Sequence, residues 1–209
     1  MSRLRSRDGL IRLPRCRIRG RVPRNWCYIT VFVVIWLFLG TALVGAQQQK
    51  RKEYEVKAAY LYNFGRFVRW PGNVPTAQDK SFSICILGQD PFGPTLDATL
   101  VGESLDGKPV VVRRISRAQD VGDCRILFIS STEENHLKQI LAALENALVL
   151  TVSDMPDFSR RGGMIQFVLE GSRVRFEINL ASAEAAKLVV SAELLKVAAT
   201  VRKNAQPGD

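Results

Sequence analysis

The sequence predicts an α/β domain: a three-layer sandwich with a mixed, mostly parallel sheet, helices on both faces, and a C-terminal β-hairpin plus helix. Three observations predict it. Short apolar runs recur at Ile84-Cys85-Ile86-Leu87, Ile126-Leu127-Phe128-Ile129 and Leu148-Val149-Leu150-Thr151-Val152. Strands covered on both faces read this way rather than as an alternation. Helical stretches separate the runs, which favours crossovers between parallel neighbours. From residue 163 the pattern changes to two strands, 163–170 and 173–180, joined by Glu170-Gly171-Ser172. The second alternates Val174, Phe176 and Ile178 with Arg173, Arg175, Glu177 and Asn179, as a hairpin with one wetter face does.

The chain opens on a leader. Residues 1–25 hold nine Arg and one acid, Asp8, and residues 26–46 carry no charge. The apolar stretch from Tyr28 to Leu39 is followed by the small residues Val44-Gly45-Ala46. This is the layout of a secretory signal with a long basic n-region. Residues 1–46 are therefore expected to be a signal peptide or an N-terminal membrane anchor. Residues 47–52 are read as a frayed linker, 53–203 as the α/β domain and 204–209 as a tail. Either fate of the leader sends residue 47 onward across the membrane, and membrane contact is expected only through the N-terminal segment. The formal charge of +10 belongs to the leader, because residues 47–209 hold 21 basic against 19 acidic side chains. Electrostatic nucleic-acid binding by the domain is excluded on that ground.

The elements follow in order. From Glu53 to Trp70 apolar residues recur at helical spacing (Tyr54, Ala58, Leu61, Phe64, Val68), Glu53 and Lys57 form an i,i+4 pair, and Pro71-Gly72 ends the helix. A strand over 81–87, a short helix from Pro94 to Leu100, a strand over 110–115 and a strand over 125–130 come next. A helix begins near Ser131-Thr132-Glu133-Glu134, and the strand 147–152 follows it. Residues 181–201 read as helical beyond the hairpin, with a break near Ser191.

Six of the twelve aromatic residues that follow the leader lie between Tyr54 and Trp70. Such a helix either packs its aromatics into a core or presents a second face to a partner. Cys16 and Cys27 lie in the leader; Cys85 and Cys124 lie in the domain. An exported compartment permits a bridge between the latter two, and two buried thiols are the other reading.

Reactive chemistry is sparse. His136 is the only histidine and sits in a charged segment. No nucleophile elbow, GxGxxG or GxxxxGK[ST] pattern occurs. No metal, cofactor or catalytic residue is expected. Gly162-Gly163 precedes a strand, not a helix, so a tight turn or close backbone approach is expected rather than phosphate binding. Asp154 and Asp157 follow a strand at the sheet edge where ligands tend to sit in parallel sheets.

The residues resemble a known family. Glu55-Val56-Lys57-Ala58-Ala59-Tyr60-Leu61-Tyr62-Asn63-Phe64, with Phe67 and Trp70-Pro71, is similar to the opening motif of the YfiR family of exported regulators. Asp90-Pro91-Phe92-Gly93, Ser153-Asp154 after its strand, Gly162-Gly163-Met164-Ile165, Phe176-Glu177-Ile178-Asn179 and Leu194-Leu195 match further along, across most of 53–201. The resemblance implies a three-layer periplasmic domain without catalysis and a Cys85–Cys124 disulfide. It also implies a partner, the periplasmic sensor region of an inner-membrane diguanylate cyclase, held inactive. Release comes through an outer-membrane lipoprotein, with consequences for cyclic-di-GMP and biofilm behaviour, and homodimers occur. A second bridge found near the Gly-Gly loop of some relatives is absent, since residues 125–209 contain no cysteine.

The leading expectation is thus a periplasmic interaction module. Its candidate contact residues are Tyr54, Lys57, Tyr62, Arg66, Trp70, Asp154, Arg160, Gly162 and Gly163. A small-ligand receptor with a pocket near Asp154, Arg160 and the aromatic helix is the alternative, and a hydrolase working through acids alone is a third.

Overall fold

The computed structural model describes residues 47–72 and 80–203. The leader (1–46) and the tail (204–209) lie outside the described residues. Helix α1 occupies residues 47–67, so the expected frayed linker 47–52 is helical in the structure, with exposed polar side chains. The helix stops three residues before Trp70, and Val68–Arg69 forms β1.

The main sheet has eight strands in the order β10-β8-β7-β6-β5-β2-β4-β3. Its central strands are β2 (Phe82–Leu87), β4 (Lys108–Ile115), β5 (Cys124–Ile129) and β6 (Leu150–Ser153), all parallel. Strand β7 (Ile165–Glu170) is parallel to β6, and β8 (Arg173–Asn179) returns antiparallel to it as the predicted hairpin. The short β3 (Ser104–Leu105) and β10 (Thr200–Arg202) form the edges.

Alternation along each strand divides the core. Ile84 and Ile86 face the layer that holds Ala58, Leu61 and Phe64 of α1 and Leu96 and Leu100 of α2 (Pro94–Leu100). Cys85 and Leu87 face the opposite layer, with Leu137 and Ile140 of α3 (Leu137–Ala143). Because successive strand side chains point to opposite faces, a continuous apolar run is what two helix-covered faces require, and the three-layer prediction holds. Helix α1 lies close to the sheet because Gly65 has no side chain: a Cβ there would sit 2.5 Å from Leu105 Cδ1.

Cys85 and Cys124, on adjacent strands, form a disulfide with Cα atoms 5.9 Å apart, within the usual range for such a bridge. Beside it the β2–β5 register shifts between Ser83 and Ile84, so that Arg125 is an extra residue in β5.

The C-terminal helix is a correction. Residues 180–202 form α4 (Leu180–Ala185), β9 (Val189–Val190), α5 (Ala192–Val197) and β10. Lys187 takes φ 60°, which stops α4. Val189 and Val190 then pair antiparallel with Arg69 and Val68. Ser191 restarts a helix by accepting a hydrogen bond from the Leu194 N–H. Pairing with a strand 120 residues away is invisible to local periodicity, and it overrides the weak apolar repeat.

Candidate functional site

Strand β6 ends in Ser153, whose buried hydroxyl donates to the Ile129 carbonyl at 2.7 Å and accepts from the Met155 N–H at 3.1 Å. Both contacts set the chain direction, and Asp154 between them is turned toward α1. Its Oδ2 accepts from the Tyr54 hydroxyl at 2.8 Å and from Lys57 Nζ at 2.7 Å. Lys57 also pairs with Glu53 Oε1 at 2.5 Å, one turn back on α1, and its Nζ lies 4.4 Å from the Tyr54 ring centroid. The Lys57 side chain is only 4% exposed and that of Asp154 12%. An ammonium taken so far out of water is retained only with close partners; two carboxylates, a phenol and an aromatic face supply them.

Tyr54 continues the contact inward. Its ring meets Phe92 edge-on at 5.2 Å, and Phe92 meets Phe128 of β5 edge-on at 4.8 Å. Burial pushes the Tyr54 phenol above its ordinary value, and the negative charge of Asp154 adds to the shift. The N-terminal half of α1 is therefore locked onto the carboxyl edge of the sheet by one ion-pair junction and one aromatic chain.

The other residues predicted as contacts are spread out. Tyr62 is half-buried with its hydroxyl 3.4 Å from the Ser104 carbonyl, and Arg66 is exposed on the same helix. Trp70 is interior, its ring edge-on to Phe82 at 5.5 Å. Arg160 is exposed and pairs with Asp157 at 3.5 Å, and Gly162 is exposed at φ 101°. Gly163 is interior: a Cβ there would lie 2.1 Å from the Phe158 ring. Close backbone approach, the reading favoured for the glycine pair, is what the structure shows at Gly163. Only Tyr54, Lys57 and Asp154 come together.

Sequence reasoning missed the support of the 154–163 loop. Fully buried Ser159 has its amide bonded to Gln166 Oε1 at 3.0 Å and its hydroxyl 2.9 Å from Glu177 Oε2. Arg202 of β10 reaches the same Glu177 oxygen at 3.2 Å, and Asn179 Nδ2 donates to the Ser159 carbonyl at 2.8 Å. Nothing about a serine in a polar loop marks it as interior. Among the described residues no group of three or more His, Cys, Asp or Glu could hold a metal ion, and no helix is long and apolar enough to cross a membrane.

A family model described as YfiR/HmsC-like matches residues 54–199, from the Tyr54 junction to the segment before β10. The chain belongs to the YfiR/HmsC-like family. Its members are regulatory rather than catalytic domains of the periplasm, and the buried Cys85–Cys124 bridge of this YfiR/HmsC-like chain fits an oxidising compartment. Two solved structures are similar to it. A conserved domain protein from Vibrio cholerae O1 biovar El Tor is 11% identical with a TM-score of 0.45, covering 60% of this chain and 56% of that one. An ABC domain in complex with L-Trp from Streptococcus pneumonia is 10% identical with a TM-score of 0.44, covering 59% of this chain and 56% of that one. The YfiR/HmsC-like chain thus spans little more than half the length of either.

Proposed function

We propose that this chain is an exported, non-enzymatic regulator. It binds the periplasmic sensor region of an inner-membrane diguanylate cyclase and holds it in one state. Sequestration by a second envelope protein, an outer-membrane lipoprotein, relieves the hold. The observation that carries the reading is the family match from Tyr54 to residue 199, which spans nearly all of the described domain. The Lys57–Asp154 junction supports it, because a helix face locked to the sheet costs little ordering on binding. The exposed residues of that surface are Arg66 on α1 and Arg160 and Gly162 in the loop. Such a regulator works only by binding one state of the sensor better than the other.

The test is co-expression of the full chain with the diguanylate cyclase encoded nearest to it, with co-purification and cellular cyclic-di-GMP as readouts. The chain is expected to co-purify with the cyclase and lower cyclic-di-GMP, and Arg66→Glu with Arg160→Glu is expected to weaken both effects at an unchanged melting temperature. Absence of complex and of any cyclic-di-GMP change, with the protein folded and exported, overturns the reading.

A further inference from the structure

A second site lies at the opposite rim of the sheet, where the parallel strands begin. A cavity of about 80 Å³ is lined by Trp70, Ser81, Phe82, Leu105, Asp106, Lys108 and Arg125. Three observations single it out. Trp70 is 4% exposed, yet its indole Nε1, a donor with no acceptor capacity, is buried and has no hydrogen-bond partner. Such a group costs free energy until an acceptor reaches it. Second, the side chains around the cavity are mostly donors: an indole N–H, a hydroxyl, an ammonium and a guanidinium, against the single carboxylate of Asp106. An ammonium carries three N–H groups and a guanidinium five, so ion pairs elsewhere leave donors to spare. Third, Arg125 is the extra residue where the β2–β5 register shifts, and bulges of this kind re-aim a side chain.

We propose that this cavity binds a small oxyanion, a carboxylate or a phosphate, between the Trp70 indole N–H and the Arg125 guanidinium, with Lys108 completing the donor set. The size fits: a single water needs roughly 10–15 Å³ of such space, so the cavity has room for a group the size of acetate or phosphate and little more. Recognition rests on charge-assisted hydrogen bonds, which are shorter and stronger than neutral ones. The site is separate from the Tyr54–Lys57–Asp154 junction and does not depend on the regulatory reading.

Trp70 is the only tryptophan after the leader; the other two are Trp26 and Trp36. The full chain carrying Trp26→Phe and Trp36→Phe therefore reports on the site alone, through Trp70 fluorescence and its indole N–H resonance. At constant ionic strength, titration with sodium acetate and with inorganic phosphate is expected to give a saturable shift of that resonance for at least one of them, and sodium chloride none. Arg125→Gln and Lys108→Gln, each with an unchanged melting temperature, are expected to raise the apparent dissociation constant tenfold or more. A response to both oxyanions that is linear or equal to that of chloride overturns the proposal, as does unaltered binding in both variants. Acetate alone saturating identifies a carboxylate, and phosphate alone a phosphate group.

Discussion

Lys57 and Asp154 are 97 residues apart in the chain, and their charged atoms are 2.7 Å apart in the fold. This junction joins the first helix to the end of β6, and both partners are nearly dry. Removing one side of such a pair strands the other charge. Asp154→Ala is expected to lower the unfolding free energy by about 3 kcal/mol, at the low end of the range for a broken buried pair because Glu53 still faces Lys57. Urea unfolding measures it, and a loss below about 0.5 kcal/mol contradicts a tightly held junction. Lys57→Met combined with Asp154→Leu is expected to recover much of the loss, since no uncompensated charge then remains.

Tyr54 makes the junction sensitive to alkali. Its phenol has a folded-state value above the ordinary 10.0. The contribution is complete below pH 10. Above that pH the unfolded chain loses the proton and the folded chain keeps it, so stability falls as pH rises, by at most about 1.4 kcal/mol per pH unit. Tyr54→Phe lacks this limb. The melting-temperature gap between wild type and Tyr54→Phe is expected to shrink from pH 9.5 to pH 11, and a constant gap refutes the assignment.

At Gly163 a methyl group has no room, because the Phe158 ring occupies the space 2.1 Å away. Gly163→Ala is expected to destabilise by about 2–3 kcal/mol through overpacking, with part of it restored by Phe158→Leu. Differential scanning calorimetry of the single and double variants decides the matter. Additive losses would mean that the two residues do not meet.

The Cys85–Cys124 bridge closes a loop with a sequence separation of 39. The chain-entropy model assigns such a loop about 4 kcal/mol. Cys85→Ala with Cys124→Ala is expected to unfold at markedly lower urea concentration, with reductant leaving the variant unaffected and shifting only the wild type. Equal midpoints for wild type and variant under oxidising conditions would show that the bridge contributes nothing.

Much of the architecture was legible before any coordinates. The runs at 84–87, 126–129 and 148–152 announced buried strands, because an apolar stretch covered on both faces leaves no polar alternation. The hairpin was legible from the strict alternation of 173–179. The break in the last helix was not. Val189 and Val190 leave the helical path because Val68 and Arg69 offer backbone hydrogen bonds across the fold. Of the candidate site, the Glu53–Lys57 pair was readable at i,i+4 spacing, whereas the inward aim of Lys57 was not. A lysine among aromatics reads as a surface residue until a carboxylate from a distant loop is seen to meet it. Trp70 and Gly163 were expected at a contact surface and lie inside, for the same reason: a flanking Pro-Gly or Gly-Gly turn marks where the chain bends, without showing what packs over the bend.

The amino-acid order alone settled the layer class, the position of the bridge-forming cysteines and the family, because these depend on residue type at short spacing. The fold itself decided which aromatic and charged groups of α1 turn inward, how the last 24 residues divide between helix and strand, and that Trp70 stands beside a donor-rich cavity. Each of those outcomes depends on contacts between segments far apart in sequence. Free energy there is set by burial and by the match of distant hydrogen-bonding groups, and no local pattern encodes either.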